Sequence, residues 1–169
     1  HNMSTTHEIV LTPVTTKVRF YTSVDNGSYI PSHWHRAIEI IYIQTGALTV
    51  TVESYTQKLT AGQCILINSN VVHSTQCTIP NTAIVFQIPL DFIETYIPQV
   101  RSLLFHLPEG SADPKERTKL DIFKNTLEKM QIANDMQPDG FLLRFNSLLF
   151  EVLFQLYHSF STKVMHSDF

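Results

Sequence analysis

The sequence predicts a mainly β fold followed by α-helices, and three of its features say so. Turn-forming residues recur through the first half at short, near-regular intervals. The segments between them are rich in β-branched and aromatic residues, the side chains that suit a pleated surface. After Pro89 the two-residue alternation gives way to helical spacing. Many short strands at such intervals imply an antiparallel sandwich or barrel.

The first strand covers residues 17–23. Residues 38–43 are almost continuously apolar, which predicts a strand buried on both faces. Residues 47–53 alternate cleanly, with Leu48, Val50 and Val52 against Thr49, Thr51 and Glu53. Shorter strands follow at 55–59, 64–68, 73–78 and 83–88. The separators Asp25-Asn26-Gly27, Thr45-Gly46, Ala61-Gly62, Asn68-Ser69-Asn70 and Pro80-Asn81 are turn chemistry. A short helix over 90–100 has Asp91 placed to cap it. Asp113-Pro114-Lys115-Glu116 then reads as a helix start, with Asp at the N-cap, Pro at the first helical position and Glu at the third. Leu120, Phe123, Leu127 and Met130 form one apolar stripe on that helix. A last helix runs from Pro138-Asp139-Gly140 to about Phe160 and is apolar nearly all round, so it needs cover on most sides. The cover is either packing within the monomer or a second copy, and wide apolar faces favour the second. A homodimer through the C-terminal helices is therefore expected.

With 169 residues, 43% of them hydrophobic, the chain can bury a real core. A net charge of −3 without a basic stripe argues against direct nucleic-acid contact. Cys64 and Cys77 form neither a disulfide framework nor a C-x-x-C pair, and no secretory leader is evident, so a cytoplasmic location is expected. No membrane span is expected, because Arg144, Asn146, Glu151, Gln155 and His158 interrupt the most apolar stretch, 141–160. His1-Asn2-Met3 reads as a cloning remnant and is set aside.

The chemistry concentrates in Gly27, five residues, His33-Trp34-His35, three residues, Glu39, six residues, Gly46. Offsets of two and four place His33, His35 and Glu39 on one face of a strand. Trp34 has the opposite parity, and Tyr29 shares the parity of His33. His73 follows Gly62 as a fourth candidate ligand. Two or three imidazoles and a carboxylate suit Zn, Ni, Fe or Mn. Without a metal, the same cluster would grip hydroxyl groups, with Glu39 as acceptor. His33, His35, Glu39, His73 and Tyr29 are the expected ligand-binding residues, and the first four are the expected metal ligands.

This run resembles the first motif of the cupin superfamily, with both glycines, both histidines and the glutamate in register. The second motif departs from the usual pattern: Gly62 and His73 match, while Asn68, Asn70 and Cys77 stand where Pro, Gly and Asn are usual. Pro31-Ser32-His33-Trp34-His35, Glu39-Ile40-Ile41-Tyr42-Ile43, residues 62–67 and Asn68-Ser69-Asn70-Val71-Val72-His73-Ser74 together are similar to the sensor half of AraC-type transcription regulators. That resemblance implies a cupin (double-stranded β-helix or jelly-roll) barrel sensor over 4–110 and a helical dimerisation segment over 111–169. It implies a small-molecule effector, often a sugar, and no catalysis. DNA would be met only through a helix-turn-helix domain that this chain does not contain. The alternative is a metal-dependent cupin enzyme, a dioxygenase or isomerase, with a 3-His/1-Glu site.

Overall fold

A computed structural model describes residues 5–11, 18–33 and 36–164, with side chains over 18–30 and 36–164. The chain divides into two compact units, His1–Pro98 and Gln99–Phe169. Residues 99–110, expected to belong with the β-rich part, group with the helices because their strand pairs there.

Among the described residues, the first unit holds one antiparallel sheet of seven strands: β1 (Thr5–Leu11), β2 (Val18–Asp25), β3 (Tyr29–His33), β4 (Ala37–Val52), β5 (Tyr55–Thr60), β6 (Cys64–Ile67) and β7 (His73–Pro89). The hydrogen-bonded path runs β1-β2-β7-β4-β5, with β3 added on β7 and β6 on β4. Each of β4 and β7 unites two segments that their turn residues predict to be separate. The two pair with each other from Ala37 opposite Pro89 to Val52 opposite His73, with register irregularities between Ile43 and Thr49. β2 and β6 flank one half of this long pair, and β3 and β5 flank the other. The result is two leaves joined by shared strands.

Gly46 sits in the irregular stretch at φ 76°. A Cβ there would lie 1.9 Å from the Pro80 carbonyl oxygen, so only glycine lets the two backbones approach at the bend. The expected closed barrel is corrected. Among the described residues the ladder does not close: β1 pairs only with β2, β5 and β6 only with β4, and β3 only with β7. The bend in β4 and β7 does the folding-over that closure would otherwise do.

In the leaf built on β2, β7 and β4, Phe20, Ile38, Ile40, Ile84, Phe86 and Ile88 are fully buried on one face. Phe20 and Phe86 meet edge to face with centroids 5.2 Å apart. The alternate residues turn to the other face, where the cavity described below lies. Helix α1 (Leu90–Tyr96) stops short of the expected 100, just before Pro98. Asp91 lies in its first turn rather than at its cap, since Pro89 occupies that position.

The second unit contains β8 (Leu103–Phe105), α2 (Pro114–Met136), α3 (Phe141–Ser159) and β9 (Ser161–Lys163). β8 and β9 pair, tying the start of this unit to its end. Asp113 caps α2 as expected, its carboxylate accepting the Lys115 amide at 2.9 Å with Pro114 at the first position. Leu120, Phe123, Leu127 and Met130 are buried, as the stripe predicts. α3 buries Phe145, Leu149, Val152 and Leu156 on one side. Between the helices Gln155 donates to the Thr126 hydroxyl at 3.0 Å.

Candidate functional site

A cavity of about 360 Å³ lies in the first unit. Period-two alternation supplies its walls. β2 contributes Tyr21, Ser23 and Asp25, β4 contributes Glu39 and Ile41, and β7 contributes His73, Thr75, Ala83, Val85 and Gln87. Leu48, Ile30, Ser28 and Asn81 complete the lining.

Glu39 and His73 meet on this wall. His73 Nε2 lies 3.4 Å from Glu39 Oε1, and both residues are buried. Gln87 donates its side-chain amide to the same carboxylate oxygen at 3.3 Å. His73 Nδ1 is 3.0 Å from the Val71 carbonyl. Burial pulls the His73 pKa down, but the hydrogen bond to Glu39, the Val71 carbonyl and the carboxylate charge outweigh it, and the net shift is upward. A carbonyl only accepts, so Nδ1 carries a proton. Nε2 then faces a carboxylate oxygen, and that approach calls for positive charge between them: a second ring proton or a metal ion.

A second polar cluster closes the far part of the cavity. Asp25 accepts the Gly27 amide at 3.1 Å, the Ser28 amide at 2.9 Å and the Ser28 hydroxyl. Burial opposes ionisation of Asp25, yet the Ser28 and Gly27 hydrogen bonds together outweigh it and lower its pKa. Asn81 donates to the Ala47 carbonyl at 3.1 Å and to Cys77 Sγ at 3.3 Å. Cys64 and Cys77 are both buried and are not joined in a disulfide, in keeping with their reading as small buried residues.

Of the residues the sequence singles out, the structure brings Glu39 and His73 together. His33 takes the register position opposite His73; its side chain, and all of Trp34 and His35, lie outside the described residues. Tyr29 is 60% exposed and does not line the cavity, which corrects its expected place among the ligand-binding residues. The register shifts between Ile30 and His33, so parity does not carry across. Tyr29 stands opposite the exposed Gln76, and Ile30 stands opposite the cavity-lining Thr75. Sequence reasoning missed Gln87, Asp25 and Asn81. The signal for Gln87 was present: it shares the parity of Ala83 and Val85 in an apolar strand, where an inward polar residue needs a partner. Asp25 and Asn81 read only as turn residues.

Glu39 and His73 suit a first-row metal, and the hold of Val71 on His73 Nδ1 is the usual arrangement for a ligating imidazole. Among the described residues no three His, Cys, Asp or Glu side chains gather to hold a metal ion. Among the described residues, too, no helix is long and apolar enough to cross a membrane.

Residues 20–88 match the family model described as Cupin domain. Similar solved structures include an RmlC-like cupin from Shewanella frigidimarina, 26% identical over 44% of this chain and 70% of that one, with a TM-score of 0.40. The cupin domain of Schizosaccharomyces pombe Cnp3 is 10% identical over 58% of this chain and 74% of that one, with a TM-score of 0.48. The SPY1581 protein of unknown function from Streptococcus pyogenes is 15% identical over 52% of this chain and 75% of that one, with a TM-score of 0.47. No curated protein matches the chain. The family match, together with the two leaves on a shared strand pair, supports a cupin fold for residues 20–88.

Proposed function

We propose that this chain is the effector-binding and dimerisation part of an AraC-type transcription regulator. The observation that carries the reading is the cavity itself, about 360 Å³ with the buried Glu39 and His73 on one wall. That volume falls in the range of small-molecule sites, roughly 300–1,000 Å³. Its hydrogen-bonding lining, with Glu39, Ser23, Ser28 and Thr75 beside Ile41 and Val85, suits a hydroxylated molecule such as a sugar. The ligand acts by binding one arrangement of the chain better than another. In this reading α3 joins two copies in the cytoplasm, and a helix-turn-helix domain outside this chain meets DNA.

A second reading, a metal-dependent cupin enzyme, is favoured by one observation: the facing of His73 Nε2 and Glu39 at 3.4 Å, which calls for a positive charge. Glu39 and His73, with His33 and His35 by spacing, would hold Zn, Ni, Fe or Mn. The metal would supply Lewis acidity and open positions for substrate.

The test is a thermal-shift screen against sugars, run beside metal analysis and turnover assays. An effector at 100 times its Kd adds about 2.7 kcal/mol to stability, a shift of several degrees in Tm. The shift should vanish in a Glu39→Ala, His73→Ala double variant. Its survival there would remove the assignment, and bound metal with turnover would move the reading to the enzyme.

A further inference from the structure

Gln87 lies near the far end of β7, the strand that His73 begins, in the middle of a row set by strand register. Its cross-strand neighbours are Arg19 on β2 and Glu39 on β4. Arg19 donates to Gln87 Oε1 at 3.1 Å, and Gln87 Nε2 donates to Glu39 Oε1 at 3.3 Å. The same carboxylate oxygen lies 3.4 Å from His73 Nε2.

The direction of this row is forced. A guanidinium has donors and no acceptor, so the oxygen of Gln87 must face Arg19 and its NH2 must face Glu39. The opposite amide orientation would set an oxygen against the carboxylate and the NH2 against the cation. Arg19 is itself steadied over the Tyr21 ring, 5.3 Å from its centroid. Apolar residues fill the neighbouring inward positions, Ala83 and Val85. An amide there repays its desolvation only by hydrogen bonding on both sides.

We propose that Gln87 is the positioning residue of the cavity: aimed by Arg19, it fixes the Glu39 carboxylate against His73 and so sets how that pair meets a ligand. The inference rests on the reading of Glu39 and His73 as the binding pair. Gln87 touches the carboxylate and acts on the imidazole through it. Charge at Arg19 is thereby converted into orientation at Glu39, two strands away.

The experiment reads the His73 ring signals by NMR in the full chain at a single pH, which requires no ligand or metal. Glu39→Gln comes first and should move those signals by more than a linewidth. Unmoved signals would remove the binding pair and this proposal with it. Gln87→Leu should then move them although it leaves both members of the pair in place, and Arg19→Leu should move them in the same direction. The double variant should go no further than Gln87→Leu alone, because Arg19 acts through the amide. If Glu39→Gln moves the His73 signals and Gln87→Leu does not, the pair stands and the positioning role is overturned. Additive shifts from Arg19→Leu and Gln87→Leu would overturn the relay. Arg19→Leu keeps Gln87 in its place, so it supplies the reading even if Gln87→Leu fails to fold.

Discussion

Asp25 ends β2, and its carboxylate gathers two backbone amides and a hydroxyl from the next three residues. Its pKa lies below the ordinary 3.8 because, despite burial, those donors favour the ionised form. The sign follows directly. A depressed folded-state pKa contributes stability above the unfolded value, and that contribution is lost as pH falls through the lower folded value. Asp25→Asn should therefore cost about 1–2 kcal/mol at neutral pH, the worth of hydrogen bonds to a charged acceptor. The difference from wild type should shrink in acid, and urea unfolding at neutral and acid pH checks both ends. At this scale the sequence was legible where parity held. Glu39 came out through its spacing from His33 and His35, and His73 through its place after Gly62, although Glu39 lies in β4 and His73 begins β7. Tyr29 did not, because one extra residue between Ile30 and His33 reverses the faces, and Pro31 is the local mark of that irregularity.

The elements were legible as a class and not in their lengths. Thr45-Gly46 and Pro80-Asn81 read as turns, and each instead lies inside one bent strand. Turn chemistry reports backbone that must depart from ideal β geometry, and a bend meets that description as well as a hairpin does. The helices were read more closely, since Asp113-Pro114 and the stripe on α2 are local signals that nothing distant overrides. Gly46 and Gly62, two of the glycines of the strand-rich unit, separate these effects. Gly46→Ala meets the Pro80 carbonyl at 1.9 Å in a left-handed conformation, and should cost about 3 kcal/mol or more. Gly62 also has positive φ, but nothing lies within 4 Å of a Cβ there. Gly62→Ala should cost only the backbone penalty, about 1–2 kcal/mol. Equilibrium unfolding of the two variants side by side gives the comparison.

Across the whole molecule, the exposed side of α3 carries Leu143, Phe150, Phe154 and Tyr157, with Leu143 80% and Phe154 58% exposed. Spacings of seven, four and three put them in one stripe. The sequence announced this helix as apolar all round, and the buried side accounts for only part of that. If a second copy covers the stripe, Phe154→Glu should convert a dimer into a monomer in light scattering while leaving the far-ultraviolet circular dichroism unchanged. A wild-type chain that is already monomeric would remove the proposed dimerisation.

The union of β4 with β7 also dictates an order of assembly. Their nearest paired positions, Val52 and His73, close the shortest loop, and every rung toward Ala37 and Pro89 encloses a longer one. Zipping should start at the His73 end and run outward, with β2 docking only after its stretch of β7 has been laid down. Pulse-labelled amide exchange during refolding should protect 49–52 before 38–42. Binding competence would then arrive last, when Tyr21, Ser23 and Asp25 complete a wall that the earlier strands leave open.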